Sequence, residues 1–220
     1  MISNIIPHLN IDVEGTHKFS IMRQPRCAST GIRAFGKFLG LTNSVGTWTK
    51  LLVPVRDWEE QWIGGAKMEF YQNMDTTFHP HPLQEWTLTE TREVFQRTLK
   101  KHPTFLYTDH ADLYRFMNNI VEFCLLDDVW FCYLNDMNKL EFWEWVEEIS
   151  DWGLAKDMFD EWLICSVRND YPKIRDSIAV NIEECVREQL NREPIIQLIL
   201  ERHQSILNNN LQKSRKWLKF

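Results

Sequence analysis

The residues best suited to chemistry in this 220-residue chain lie between Lys18 and Leu41, in the run Pro25, Arg26, Cys27, Ala28, Ser29, Thr30 and Gly31. One cation and two hydroxyls among small residues suit an anion such as a phosphate or a sulfate. Cys27 adds a possible nucleophile, because an adjacent arginine and a helix start would both lower its pKa. Elsewhere, His79 and His81 alternate with prolines. Two histidines at that spacing could begin a metal site, but no cysteine motif or paired carboxylate accompanies them, and alternating His-Pro reads more simply as an exposed turn.

The elements around the run explain why an anion would settle there. Phe19 to Arg23 reads as a short strand whose end is set by Pro25, which cannot donate to a central ladder. After the loop comes an amphipathic helix with Ile32, Phe35, Phe38 and Leu39 on one face, Arg33 and Lys37 off it, and Gly40 as the stop. Strand, small-residue loop and helix N-terminus together converge free N–H groups and the positive end of the helix dipole on one point. The bland alternative is that Ser29 and Thr30 simply cap the helix.

Further along, residues 1–17 read as irregular and 42–90 are ambiguous: Leu51 to Val55 fits a strand or part of a helix, and Gly64-Gly65 marks a turn. Thr89 to Lys101 reads as a helix ended by His102-Pro103, with no capping box at Thr89 and Arg92. Thr104 to Thr108 reads as a strand, Ala111 to Leu125 as a helix, and Val129 to Leu134 as a buried parallel strand. This alternation predicts an α/β fold with crossovers, a three-layer arrangement around a parallel sheet.

From about Lys139 the pattern turns helical. Stripes run through Leu140, Trp143, Val146 and Ile149, through Phe159, Leu163 and Val167, and through Ile178, Ile182, Val186 and Leu190, and Pro194 restarts a helix to Ile206. The expectation is one domain over 1–220: an α/β core over 18–145, a helical portion over 146–207 and a basic tail over 208–220.

A net charge of −6 argues against a nucleic-acid binder. Ten tryptophans are many, and most should be core. Five cysteines at irregular spacing, with no basic or apolar leader, point to a reducing compartment and hence the cytosol. No segment reaches the roughly 20 apolar residues that span a bilayer.

The run Arg23-Gln24-Pro25-Arg26-Cys27-Ala28-Ser29-Thr30 resembles the 5′-phosphosulfate loop of sulfotransferases, where a strand ends in Pro-(Lys/Arg)-Ser-Gly-(Ser/Thr)-Thr and a helix follows. Pro25 and Arg26 match the proline and the basic residue, Ser29 and Thr30 the hydroxyl pair; Cys27 falls on the small residue and Ala28 on the glycine. The resemblance implies a P-loop-like fold and 3′-phosphoadenosine 5′-phosphosulfate as donor, held by Pro25 to Gly31 with no metal. Arg26 would balance charge as the bond breaks. A small-molecule or glycan hydroxyl or amine would be the acceptor.

In the family a second strand carries a catalytic histidine. His110, in Thr104 to Tyr114 about 80 residues on, is the match, displaced by one position and without the family lysine. A histidine has a suitable pKa for that base. The family's third element binds the 3′-phosphate through an arginine and a serine. Here Asn135 and Trp143 stand in those places, and Arg168 with Ser177 lies about 30 residues too late. The 3′-phosphate is then bound otherwise, or the donor differs, or binding is lost.

Competing readings remain. Cys27-x5-Arg33 has the spacing of a cysteine phosphatase loop, without its glycines. A catalytically inactive relative could act as a binding protein, or the chain could be a helical scaffold with no nucleotide site. The acidic, Trp-rich stretch Phe142 to Trp152 reads as a helix with a solvated face, or as a surface for a protein partner. The basic tail, Lys213, Arg215, Lys216 and Lys219 with Trp217, reads as solvated.

Overall fold

A strand in this chain is recognisable where a run is mostly apolar, and three such runs, one of them holding Ser20, lie side by side. The computed structural model describes residues 13–16, 18–23, 27–41, 50–74, 82–103, 129–167, 177–194, 198, 201, 202 and 205. Among them β2 (Phe19–Met22), β3 (Lys50–Val55) and β4 (Val129–Tyr133) are parallel neighbours, with Ile21 opposite Leu52 and Val53 opposite Phe131. A short β1 (Val13–Gly15) pairs antiparallel with β2, Val13 opposite Met22. The result is a four-stranded mixed sheet in the order β1-β2-β3-β4, within an α/β chain whose described residues are mostly helical.

The stretch read as irregular therefore contains a strand. Three residues are too few to show an alternating pattern, and β1 forms because β2 offers it a ladder. The helical-scaffold reading fails here: Phe19 to Met22 is a strand flanked by two others. Pro54 sits in β3 without breaking a ladder, because β2 pairs β3 only as far as Leu52.

The described helices are α1 (Ser29–Phe38), α2 (Trp58–Asn73), α3 (Leu88–Lys101), α4 (Leu140–Ile149), α5 (Ala155–Val167) and α6 (Ser177–Asn191). Two compact units share them. The first holds the sheet with α1, α4 and α5; the second holds α2, α3 and α6.

In the first unit one sheet face, Phe19, Ile21, Leu52 and Cys132, packs on Ile32 and Phe35 of α1 and on α4 and α5. Aromatic rings dominate the layer. Phe35 lies 5.0 Å from Trp143, 6.2 Å from Trp152 and 6.1 Å from Trp162, and Phe19 meets Trp152 edge-on at 4.8 Å. Each indole N–H is bonded: Trp143 to the Met137 carbonyl (2.7 Å), Trp152 to the Phe19 carbonyl (3.2 Å) and Trp162 to Asn138 Oδ1 (3.0 Å). Bonded indoles combine large apolar burial with no orphaned donor.

The α1 stop is as expected. Leu41 N–H bonds the Gly36 carbonyl and Gly40 N–H the Lys37 carbonyl, a Schellman arrangement with Gly40 at φ 65°. Phe38, however, is 59% exposed. The buried face of α1 is Gly31, Ile32, Phe35 and Gly36, and at about 100° per residue Phe38 lies roughly a quarter-turn away. The α5 stripe is likewise rotated by one residue. Met158, Trp162 and Cys165 are buried, Leu163 is exposed, and Phe159 is half-buried beneath the Lys156 ammonium.

In the second unit, Gly64 and Gly65 lie inside α2 rather than at a turn. Two interior glycines cost roughly 2 kcal/mol against alanine, and α2 offsets this with an Asp57 cap on the Glu60 N–H and with Trp62, Ile63, Ala66 and Phe70 in the core. Helix α3 begins one residue earlier than expected. A capping box does exist, between Thr87 and Glu90, where the Thr87 hydroxyl accepts from Glu90 N–H and Glu90 accepts from Thr87 N–H. Ile178, Ile182, Val186 and Leu190 of α6 are buried as their spacing predicts. Lys67 meets Glu183 at 3.0 Å, and Arg92 bridges Glu184 and Glu188.

Candidate functional site

At the carboxyl end of a parallel sheet, strand termini and helix starts face one crevice. Here β2 gives way to the loop that ends at Ala28, and α1 begins at Ser29. Pro25 and Arg26 lie outside the described residues. Arg23, the residue after β2, is committed elsewhere: its Nε is 3.2 Å from Glu14 Oε1, with both side chains almost buried.

Ala28 is the notable residue of the turn. It has φ 54° and ψ 30°, the left-handed region, and it is the one described non-glycine residue with positive φ. That conformation costs an alanine roughly 1–2 kcal/mol. The position is also where the loop motif calls for glycine, the residue that adopts it freely. The first α1 bond is Ile32 N–H to the Ala28 carbonyl at 2.9 Å, and Ala28 offers no side-chain cap to the N–H groups of the first turn.

Ser29 and Thr30 are partly exposed at that N-terminus. Gly31 is buried, and a Cβ there would lie 3.2 Å from the Cys165 carbonyl of α5. That is tighter than most Cβ contacts, so a methyl at Gly31 would require the α5 backbone to give by a few tenths of an ångström.

Arg56, the residue after β3, was not singled out from the sequence. Its backbone N–H bonds the Cys27 thiol, and its guanidinium acts on the same group through space. It brings a second basic residue to the strand ends beside the loop. Its signal was the apolar run Leu51 to Val55 closed by Arg-Asp, which shows its place only once that run is known to be a strand next to β2.

Cys27 is fully buried, and burial pushes its thiol up to about 12; the lowering by Arg56 is the smaller effect. Cys132 of β4 is raised well above the ordinary thiol value by burial, helped by Asp136 and by Cys27. The phosphatase reading is therefore corrected. It needs a thiolate at Cys27 and an arginine turned back toward it, whereas the thiol stays protonated and Arg33 is exposed on α1.

His110, Arg168, His79 and His81 lie outside the described residues. Asn135 is exposed at the start of the turn Asp136–Asn138. Trp143 is completely buried between Phe35 and Phe142, its N–H taken by the Met137 carbonyl. It cannot stand in for a serine that touches phosphate. Among the described residues no group of three or more His, Cys, Asp or Glu is placed to hold a metal ion, and no helix is long and apolar enough to cross a membrane.

No protein-family model, curated protein or solved structure matches this chain.

Proposed function

We propose that the β2–α1 turn binds the phosphosulfate end of a nucleotide donor, and that the protein transfers its sulfuryl group to a hydroxyl or amine acceptor on a P-loop-like, sulfotransferase-type scaffold. The carrying observation is Ala28: the motif position reserved for glycine has a left-handed backbone at the mouth of an uncapped helix. N–H groups of the first α1 turn would hold the 5′-phosphate, with the hydroxyls of Ser29 and Thr30 and the charge of Arg26 on the bridging oxygen, which stays with the 5′-phosphate, and on the sulfuryl oxygens. Arg56 would add positive potential from the end of β3.

In the reaction the acceptor oxygen or nitrogen attacks sulfur and gives its proton to His110. The bond from sulfur to the phosphate oxygen breaks, and adenosine 3′,5′-bisphosphate leaves. Positioning and charge stabilisation carry such a transfer, with no covalent enzyme intermediate required.

The test incubates the full chain with radiosulfur-labelled donor and a panel of phenolic, alcoholic, amine and glycan acceptors. Labelled product that disappears with His110→Ala supports the reading; no product from any acceptor counts against catalysis. A second reading, an inactive relative that acts as a binding or interaction protein, is favoured by the burial of Trp143, which leaves the family's 3′-phosphate position without its serine. It expects a folded chain that gives no labelled product with any acceptor.

A further inference from the structure

Exposed large apolar side chains are few among the described residues, and in the sheet-bearing unit they are Phe38, Leu154, Leu163 and Ile164, on α1 and on or next to α5. Three of them edge one cleft of about 370 Å³: Phe38 is 59% exposed, Leu154 62% and Ile164 49%. Its floor is Trp152 and Met158. This is separate from the β2–α1 turn, since it adjoins the other end of α1.

The cleft is held open by fixed structure. Gly153, at φ 137°, lets the chain bury Trp152 on one side and present Leu154 on the other. Trp152 is anchored through its bond to the Phe19 carbonyl, and Glu147 accepts from Ala155 N–H at 2.7 Å, fixing the start of α5. An apolar floor with exposed anchors at its rim is the form of a groove that receives side chains.

Charge selects the occupant. Asp157, Asp160 and Glu161 line the cleft, whereas neither Arg33 nor Lys37 of α1 does. Lys156 pairs with Asp160 at 2.6 Å, leaving Asp157 and Glu161 to set the sign. Residues 141–161 carry eight carboxylates against the single base Lys156. A second copy docking face to face would set these carboxylates against their own copies, and an anionic lipid surface would be repelled. We propose that this cleft docks a basic amphipathic segment of a partner protein, with its apolar side chains seated among Phe38, Leu154 and Ile164 and its lysines or arginines facing Asp157 and Glu161.

The test measures fluorescence anisotropy of a labelled Lys/Leu/Trp amphipathic peptide with the full chain, beside the same peptide with every lysine replaced by glutamate. The lysine peptide is expected to bind and the glutamate peptide not to. Ile164→Asp and Leu154→Asp, at positions 49% and 62% exposed, should each weaken binding roughly tenfold or more, with circular dichroism confirming that both variants are folded. Asp157→Lys combined with Glu161→Lys should reverse the preference between the two peptides. The proposal is overturned if the lysine peptide does not bind, if Ile164→Asp leaves its affinity unchanged, or if both peptides bind alike. It is equally overturned if the chain is a dimer that Ile164→Asp dissociates, or if it sediments with phosphatidylserine vesicles through this face.

Discussion

Replacing Ala28 with glycine is expected to stabilise the protein, the reverse of what the same change does within a helix. A left-handed alanine pays roughly 1–2 kcal/mol that glycine does not. Against this, the added freedom of glycine in the unfolded chain costs roughly 0.5–1 kcal/mol. The difference is a net gain of up to about 1.5 kcal/mol, and for a chain of this length that raises Tm by up to about 6 °C. A Cβ-branched residue is strained further in this region, so Ala28→Val should be less stable than wild type. Urea unfolding followed by tryptophan fluorescence, with circular dichroism as a second probe, measures both. If Ala28→Gly instead lost about 1 kcal/mol, as at a right-handed helical position, residue 28 would not hold φ 54° and the turn geometry behind the proposed site would be wrong.

Phe35→Ala removes the ring that meets Trp143, Trp152 and Trp162 and should cost about 3–5 kcal/mol, read from urea midpoints; a loss under about 1 kcal/mol would contradict the aromatic core. Asp57→Ala removes the α2 cap and should cost about 1 kcal/mol, while Asp57→Asn retains most of it; equal effects of the two would argue against the cap. The folded-state thiols of Cys27 (about 12) and Cys185 (about 11) lie above the ordinary 9.0, so the native state keeps protons that the unfolded chain releases. Stability from these groups is present below about pH 9 and is lost as pH rises toward 11–12; unfolding titrations should show that decline, and Cys27→Ala should make it shallower. A slope unaltered by Cys27→Ala would show that this thiol is not buried as described.

What the residues reveal depends on whether their neighbours in sequence or in space decide the outcome. Strands β2 and β4 were legible because most of their residues are buried and their runs are largely apolar, even with Ser20 in β2 and the half-buried Trp130 and Tyr133 in β4. Helix α6 was legible because one side of it meets a core and its period shows. Helix α2 was not: its two glycines read as a turn, and its stability comes from the Asp57 cap and from burial of residues such as Trp62 and Phe70, which sequence alone does not pair. The rotation of the α5 face by one residue follows from Trp162 reaching Asn138, a tertiary bond.

The candidate site divides the same way. Ser29 and Thr30 at the head of a helix were local facts. Arg56 joins them only through the parallel pairing of β2 and β3, and the left-handed backbone of Ala28 has no local signal, because alanine carries no preference for it. Trp143 matched a motif position by count, yet its burial among Phe35, Phe142 and Trp162 removes it from any ligand. Counting along a chain finds the place of a residue and not the direction of its side chain.

The most direct test of the anion site is calorimetric titration of adenosine 3′,5′-bisphosphate into the wild type and into Arg26→Ala, with circular dichroism confirming that both are folded. The account predicts micromolar binding to the wild type and its loss in Arg26→Ala. No heat of binding from a folded wild type, or equal affinity in the two proteins, would contradict it.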